Sequence, residues 1–175
     1  MNIEETKNIT LSLIDTFNEA SQVALDLRKV GLIKEIKSDN TPVSNGDIEV
    51  NKILTNKIQE ITPNIPIVSE ESTNHKGNVN LKNFWLIDPI DGTIEYINNR
   101  DEFTLNAALI INRKPAIGII TAPAKKRVFY SYGHSNSFEL INNKEINLIN
   151  KKKDYTEISA ITYSVDIKPE ISEIH

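Results

Sequence analysis

The order of its periodic segments most constrains how this chain can fold, because two long amphipathic helices come first and short strands follow. In residues 3–30, apolar side chains recur every three or four positions, which predicts a helix that ends at Gly31. Ser44 and Asp47 have the spacing of a capping box and predict the start of a second helix, which ends before Pro63. Helices followed by strands predict an α+β domain rather than a βαβ repeat.

The rest of the chain has the pattern of short apolar strands joined by turns. The predicted strands cover residues 65–68, 84–87, 104–111, 116–122, 127–132, 137–141 and 145–148. Such close spacing predicts a largely antiparallel meander on which the two helices pack. The lysine run at 151–153 marks the expected boundary between a main lobe, 1–150, and the start of a second lobe, 151–175, whose first strand begins at residue 158.

Composition excludes several classes of function. The chain has no cysteine, which excludes a disulfide scaffold, a thiol nucleophile and a thiolate metal site. Its formal charge of −4, with no long basic run, argues against a protein that coats nucleic acid. No apolar stretch of roughly 18 residues predicts a membrane span, and the N-terminus lacks a signal-peptide pattern. We therefore expect a cytoplasmic protein, with peripheral membrane association left open. His75, His134 and His175 show no metal-ligand spacing and are expected to be exposed.

Candidate functional residues are most concentrated where an apolar strand leads into residues 88–93, with sequence DPIDGT. Asp88 is predicted to end the strand, Pro89 to fix a turn, and Asp91 to follow three residues later. Two carboxylates this close repel each other unless a cation lies between them, and hard divalent ions take oxygen ligands. Backbone N–H groups at the start of a short helix after Gly92 would favour a phosphate. The alternative is an ordinary Asp-Pro turn in which Asp91 caps the helix, and spacing alone favours that alternative.

A second group of acidic residues follows the preceding strand. Glu70 and Glu71 come directly after an apolar run, where a rigid strand end and an exposed loop are suited to catalytic ligands. Glu71 is interpreted as a residue of an acidic surface loop. Asp47 has an alternative role as a capping-box residue that complements the helix dipole. Asp39 is interpreted as a turn-forming residue.

Together these motifs resemble the inositol monophosphatase superfamily of Mg²⁺-dependent, Li⁺-sensitive phosphatases. An acidic pair ends one strand and the DPIDGT run ends the next, and this combination is specific to that group. Within the superfamily the sequence is most similar to 3′(2′),5′-bisphosphate nucleotidases of the CysQ type. The similarity extends through residues 37–47, 90–97, 100–106 and 114–118. It implies the N-terminal lobe of an αβαβα sandwich, with two long helices packed on a largely antiparallel sheet.

The resemblance also implies a role for each residue of the site. One Mg²⁺ ion would be held by Glu70, Asp88 and the carbonyl of Ile90, and a second by Asp88 with Asp91. Asp47 would bond to Thr93, and this catalytic pair would orient or deprotonate the attacking water. Substrate contacts would come from Glu70, Asp91, Gly92, Thr93 and Ile94.

The activity implied by the resemblance is removal of the 3′-phosphate from adenosine 3′,5′-bisphosphate by a metal-activated water, and the alternative is hydrolysis of inositol 1-phosphate. The expected partner is a small phosphate ester and not a nucleic acid. Family members carry a second lobe with a Trp-Asp motif that completes a metal site, and the only tryptophan here is Trp85. The chain is therefore expected to lack most of that lobe, to bind Mg²⁺ weakly and to hydrolyse little alone. A hypothesis of another class follows, an inactive remnant or interaction module that self-associates through the exposed lobe interface.

Overall fold

Two long helices pack against each other and against a seven-stranded sheet. The computed structural model describes residues 1–37, 41–71 and 81–149. Helix α1 spans Ile3–Val30 and begins at a capping box, and helix α2 spans Asn45–Ile61. The bounds of both helices agree with the sequence prediction because their caps and apolar periodicity are strong local signals.

The strands form one small sheet and one large sheet. Strands β1 and β2 pair as an antiparallel hairpin, which covers Lys34–Ile36 and Pro42–Ser44. The large sheet has the order β3 to β9, with strands Ile67–Ser69, Phe84–Asp91, Thr104–Ile111, Lys114–Ala122, Arg127–Tyr132, Ser137–Ile141 and Lys144–Asn147. Strands β3 and β4 are parallel, and every later neighbour is antiparallel. A five-residue helix, α3, spans Thr93–Ile97 between β4 and β5. The predicted α+β class and the largely antiparallel meander are therefore confirmed.

Strand β4 differs from its prediction in length. It was expected to end at Asp88 with a turn at Pro89, but it continues to Asp91. Its register against β5 shifts between Asp88 and Asp91, because the proline in this stretch has no N–H to donate to the ladder. Both aspartates therefore lie on an irregular part of β4. The prediction of a turn at Pro89 is wrong.

Strand β6 also starts earlier than predicted, at Lys114. The joint between β5 and β6 is only two residues long, Asn112 and Arg113, with φ values of 50° and 62°. Two consecutive residues with positive φ are typical of the tight hairpin turns that match the twist of paired strands.

The core lies between the helices and one face of the sheet. It is built from buried side chains of both helices and of the central strands, chiefly Leu13, Phe17, Leu54, Ile58, Trp85, Ile87, Leu105, Leu109, Ile117 and Ile119. None of the helices in the described ranges is long and apolar enough to cross a membrane. The expected boundary after residue 150, the strand from 158, Asp39, His75 and His175 fall outside the described residues.

The largest core side chain is anchored by a hydrogen bond at the end of α2. The indole nitrogen of Trp85 donates to the Thr62 hydroxyl at 2.9 Å, and that hydroxyl donates to the Ile58 carbonyl at 2.8 Å. Trp85 is fully buried, so its N–H has no access to bulk water as a replacement. Thr62 thus fixes β4, the strand that carries the aspartates, to α2.

We expect Thr62→Val to destabilise the chain by about 1–3 kcal/mol, because it leaves a buried indole N–H unpaired without changing the side-chain shape. Urea unfolding followed by tryptophan fluorescence would measure the loss. Thr55→Val is the matched control, since within residues 1–37, 41–71 and 81–149 the Thr55 hydroxyl bonds only to carbonyls of α2. Equal stability of the two variants would contradict the role of Thr62.

Candidate active site

The parallel pairing of β3 with β4 brings two acidic residues to one edge of the sheet. Ser69 is paired with Ile87, so the next residues, Glu70 and Asp88, emerge side by side. The Glu70 amide also donates to the Ile87 carbonyl at 3.1 Å, which continues the pairing one step past the ladder. The neighbouring positions predicted for these two carboxylates are therefore explained by strand register.

Asp88 is the electrostatic centre of this edge. Its Oδ1 atom is buried and has no hydrogen-bond partner. Burial raises the pKa of Asp88 to about 7, and the charge of Glu70, a hydrogen bond to it, and the charges of Asp91 and Asp47 add to the shift. In the described parts of the chain, no three acidic or histidine side chains are gathered closely enough to hold an ion as they stand. The carboxylates are near enough to repel one another, and a cation would relieve that repulsion.

Asp47 joins the start of α2 to the start of α3. It is 1% exposed, and its Oδ2 atom accepts from the Ser44 amide at 2.8 Å and the Ser44 hydroxyl at 2.6 Å. Its Oδ1 atom accepts from the Thr93 hydroxyl at 3.2 Å, and the same hydroxyl lies 3.0 Å from the Ile90 carbonyl. The capping role and the bond to Thr93, which were alternatives in the sequence, exist together.

Gly92 makes the tight change of direction between β4 and α3. Its φ is +89°, and a Cβ atom there would lie 2.7 Å from the Glu102 carbonyl oxygen, so only glycine fits. Gly92 itself holds the N-cap position of α3, and no side chain caps that helix. The alternative in which Asp91 caps the helix is therefore wrong. Asp91 instead accepts a hydrogen bond from the Asn106 amide at 3.3 Å.

A shallow cavity of about 230 Å³ lies over this region. It is lined by Thr41, Pro42, Glu70, Gly92, Thr93, Ile94 and Glu95. Four of the residues predicted to contact substrate therefore share one surface depression, and the Ile94 side chain is 56% exposed at its rim. Asp91 is exposed beside it, on the strand that leads into the cavity wall.

The sequence interpretation of Glu71 as a surface residue is wrong, because its side chain is only 10% exposed. The Lys37 amine lies 2.5 Å from Glu71 and 3.8 Å from Glu70, and this lysine was not predicted as a site residue. Burial acts to lower the pKa of Lys37, but the carboxylates of Glu71, Glu70 and Asp47 together raise it. Burial raises the pKa of Glu71, against the effect of its bond to Lys37. The pair spans 34 positions and has no local sequence signal. His134, by contrast, is exposed as predicted.

Comparison with known proteins agrees with this geometry. The inositol monophosphatase family model matches residues 4–173. The 3′(2′),5′-bisphosphate nucleotidase CysQ of Haemophilus influenzae is 37% identical over 107 residues, which cover 60% of this chain and 40% of that protein.

Solved structures share the fold. An IMPase from Thermotoga maritima is 25% identical with a TM-score of 0.63, over 72% of this chain and 48% of the other. An IMPase/NADP phosphatase complexed with Mg²⁺ and phosphate is 16% identical with a TM-score of 0.65, over 78% of this chain and 51% of the other. The chain thus spans about half the length of the proteins that it matches, 40% to 51% in these three.

We expect the stability of the metal-free chain to fall as pH rises, because of Asp88. Its folded pKa of about 7 lies above the ordinary value of 3.8, so between these values the folded state binds more protons than the unfolded state. Asp88→Asn removes the unfavourable free energy of ionising this buried carboxyl and should stabilise the chain at pH 8 by about 1 kcal/mol. This value is smaller than the full pKa shift implies, because the side chain is half-exposed and solvent screens its charge.

Thermal unfolding in a chelating buffer at pH 4 and pH 8 would measure the effect of Asp88→Asn. The exposed substitution Asp15→Asn is the control and should give the same pH dependence as the unchanged chain. A stabilisation by Asp88→Asn that is equal at both pH values would contradict the raised pKa.

Proposed function

Because the chain belongs to the inositol monophosphatase family, we propose that it is the metal-binding part of a phosphomonoesterase that removes the 3′-phosphate of adenosine 3′,5′-bisphosphate. The observation that carries this proposal is the unpartnered, buried Oδ1 atom of Asp88 beside Glu70, because Glu70 itself lines a cavity together with Gly92 and Thr93. The preference for a nucleotide substrate is supported by 37% identity over 107 residues to a protein named as a bisphosphate nucleotidase.

The residues at the edge of β3 and β4 fit a divalent cation. Asp88 has a buried oxygen without a donor, and its neighbours are acidic, so a hard cation is the ligand that matches this oxygen-rich group. Mg²⁺ would be held by Glu70, Asp88, Asp91 and the carbonyl oxygen of Ile90. When bound, it would supply a more acidic water and stabilise negative charge on the phosphate. A fold relative solved with Mg²⁺ and phosphate supports this choice of cation.

Asp47 and Thr93 would handle the proton of the attacking water. Two hydrogen bonds from Ser44 hold one oxygen of Asp47, which directs the other oxygen to the Thr93 hydroxyl. Because that hydroxyl donates to Asp47, its lone pairs are available to accept a hydrogen bond from water. A proton can then pass from water to the Thr93 oxygen as the Thr93 proton moves to Asp47.

The turn after β4 would bind the phosphate. The first N–H groups of any helix have no acceptor within it, and in α3 these belong to Thr93 and Ile94. The positive φ of Gly92 lets the backbone approach a ligand without an intervening side chain. Glu70 and Asp91 would contribute to the same substrate site from the neighbouring strand ends.

We also propose that residues 151–175 begin a second lobe. The sheet face away from the helices exposes Leu86 and Ile120, at 49% and 47%, and a cavity of about 550 Å³ lies on that face.

In this chain alone, such an apolar surface would favour self-association. Light scattering that shows a monomer at high protein concentration would contradict that expectation.

Phosphate release from adenosine 3′,5′-bisphosphate and from inositol 1-phosphate tests the proposed substrate. We expect slow, Mg²⁺-dependent release that favours the nucleotide and is inhibited by Li⁺. Faster release from the inositol ester would reject the nucleotide assignment. Absence of both phosphate release and Mg²⁺ binding would favour the inactive remnant.

Substitution of the proton-handling pair tests the mechanism. We expect Asp47→Asn and Thr93→Ala each to lower the rate by about 100-fold, the size typical of lost acid–base catalysis, with Mg²⁺ affinity nearly unchanged. Asp15→Asn is the control for surface charge and should keep the full rate. Equal losses of rate and Mg²⁺ affinity in Asp47→Asn would show that Asp47 acts on the metal rather than on the water.

A further inference from the structure

We propose that Arg28, near the end of α1, is a positioning residue for the turn at Gly92 and Thr93. It acts through the loop 98–103, which follows α3. The catalytic part of this inference rests on the proposed function, because that turn is the proposed phosphate site. The conformational part is testable without any ligand.

In the part of the chain that the structure describes, the long-range hydrogen bonds, ion pair and ring contact of Arg28 all go to this loop. One guanidinium nitrogen donates to the Arg100 carbonyl, and another donates to the Asp101 carboxylate at 3.2 Å. The guanidinium carbon lies 5.2 Å from the centre of the Phe103 ring. The Arg28 side chain is only 12% exposed, although it is charged. A planar guanidinium can serve a carbonyl, a carboxylate and a ring face together, and its fork of donors and flat face suit this arrangement better than a compact lysine ammonium.

The loop held by Arg28 forms the backing of Gly92. The Glu102 carbonyl oxygen lies 2.7 Å from the place where a Gly92 Cβ would be, and the Phe103 Cα lies 3.3 Å from it. The loop is also tied to α3, because the Arg100 amide donates to the Glu95 carbonyl at 2.8 Å. Displacement of the loop would therefore remove the packing that holds Gly92 at its positive φ.

A second contact from α1 supports the other side of the same turn. The Tyr96 hydroxyl donates to the Ala24 carbonyl at 2.7 Å, one helical turn before Arg28. The Tyr96 ring lies 4.9 Å from the Phe103 ring, and the Tyr96 amide donates to the Gly92 carbonyl at 2.9 Å. Helix α1 therefore holds α3 directly through Tyr96, and holds the loop behind it through Arg28.

This arrangement separates a positioning role from a general contribution to stability. Among the described residues, no hydrogen bond, ion pair or ring contact of Arg28 reaches the sheet, so its loss should free the loop and the turn but leave the strands as protected as before. A residue that only stabilised the whole fold would, when replaced, speed exchange of the most protected amides, including those of the central strands.

Amide NMR of the whole chain, without metal or phosphate, tests the positioning role. In Arg28→Ala we expect the Gly92 and Thr93 resonances to shift and exchange of the Tyr96 amide to speed up by about 10-fold, with the β5 and β6 amides unchanged. Arg28→Lys should give an intermediate result, and it carries the test if Arg28→Ala does not fold. The control is Lys29→Ala, since the partner of Lys29 among the described residues is Asp26 on α1 and its loss should leave these signals in place.

Titration with inorganic phosphate in the presence of Mg²⁺ then separates the two proposals. We expect Arg28→Ala to weaken phosphate binding by about 10-fold, because misplaced binding groups lose much of their effect. If the unchanged chain binds no phosphate but Arg28→Ala still releases the turn, the proposed function fails and the positioning role stands. Unchanged Gly92 and Thr93 signals in Arg28→Ala, or equal acceleration of all amides, would overturn the positioning role whatever the phosphate result.

Discussion

The candidate site depends on one pairing, the parallel contact between β3 and β4 in a sheet that is otherwise antiparallel. Parallel strands end at the same edge, so the residues that follow Ser69 and Ile87 emerge together as carboxylates. An antiparallel pairing would have separated Glu70 and Asp88 by the length of the strand. The parallel pairing of β3 with β4 therefore concentrates negative charge at one edge of the sheet.

The fold tolerates this concentration of negative charge because strong apolar packing nearby offsets its unfavourable free energy. Trp85 and Ile87 are buried on the helix side of β4, directly before the aspartate whose oxygen lacks a partner. Thr62 fixes the same strand to α2 through the indole. Sites that bind charged ligands commonly carry such unfavourable groups and depend on the surrounding structure to hold them. The burial of β4 therefore both makes the strand rigid and raises the pKa of Asp88.

Local signals in the sequence were enough to predict both long helices and most strands of the large sheet, whereas the β1–β2 hairpin and the non-local contacts were missed. The capping box at Ser44, the stop at Gly31 and the tight spacing of strands led to correct helices and a correct meander. The family resemblance drawn from the DPIDGT run is confirmed by the family match. The bond between Lys37 and Glu71 was missed because its partners are brought together only by the folded chain. The extension of β4 was missed because proline usually ends a strand, and here a bulge accommodates it.

Asp47 shows why structural and catalytic interpretations of one residue need not compete. As a cap, it accepts two hydrogen bonds from Ser44 through one oxygen, and this fixes the plane of the carboxylate. A fixed plane gives the second oxygen a single direction, toward the Thr93 hydroxyl. A carboxylate free to rotate would lose this alignment most of the time. The cap therefore provides the orientation that a proton acceptor requires.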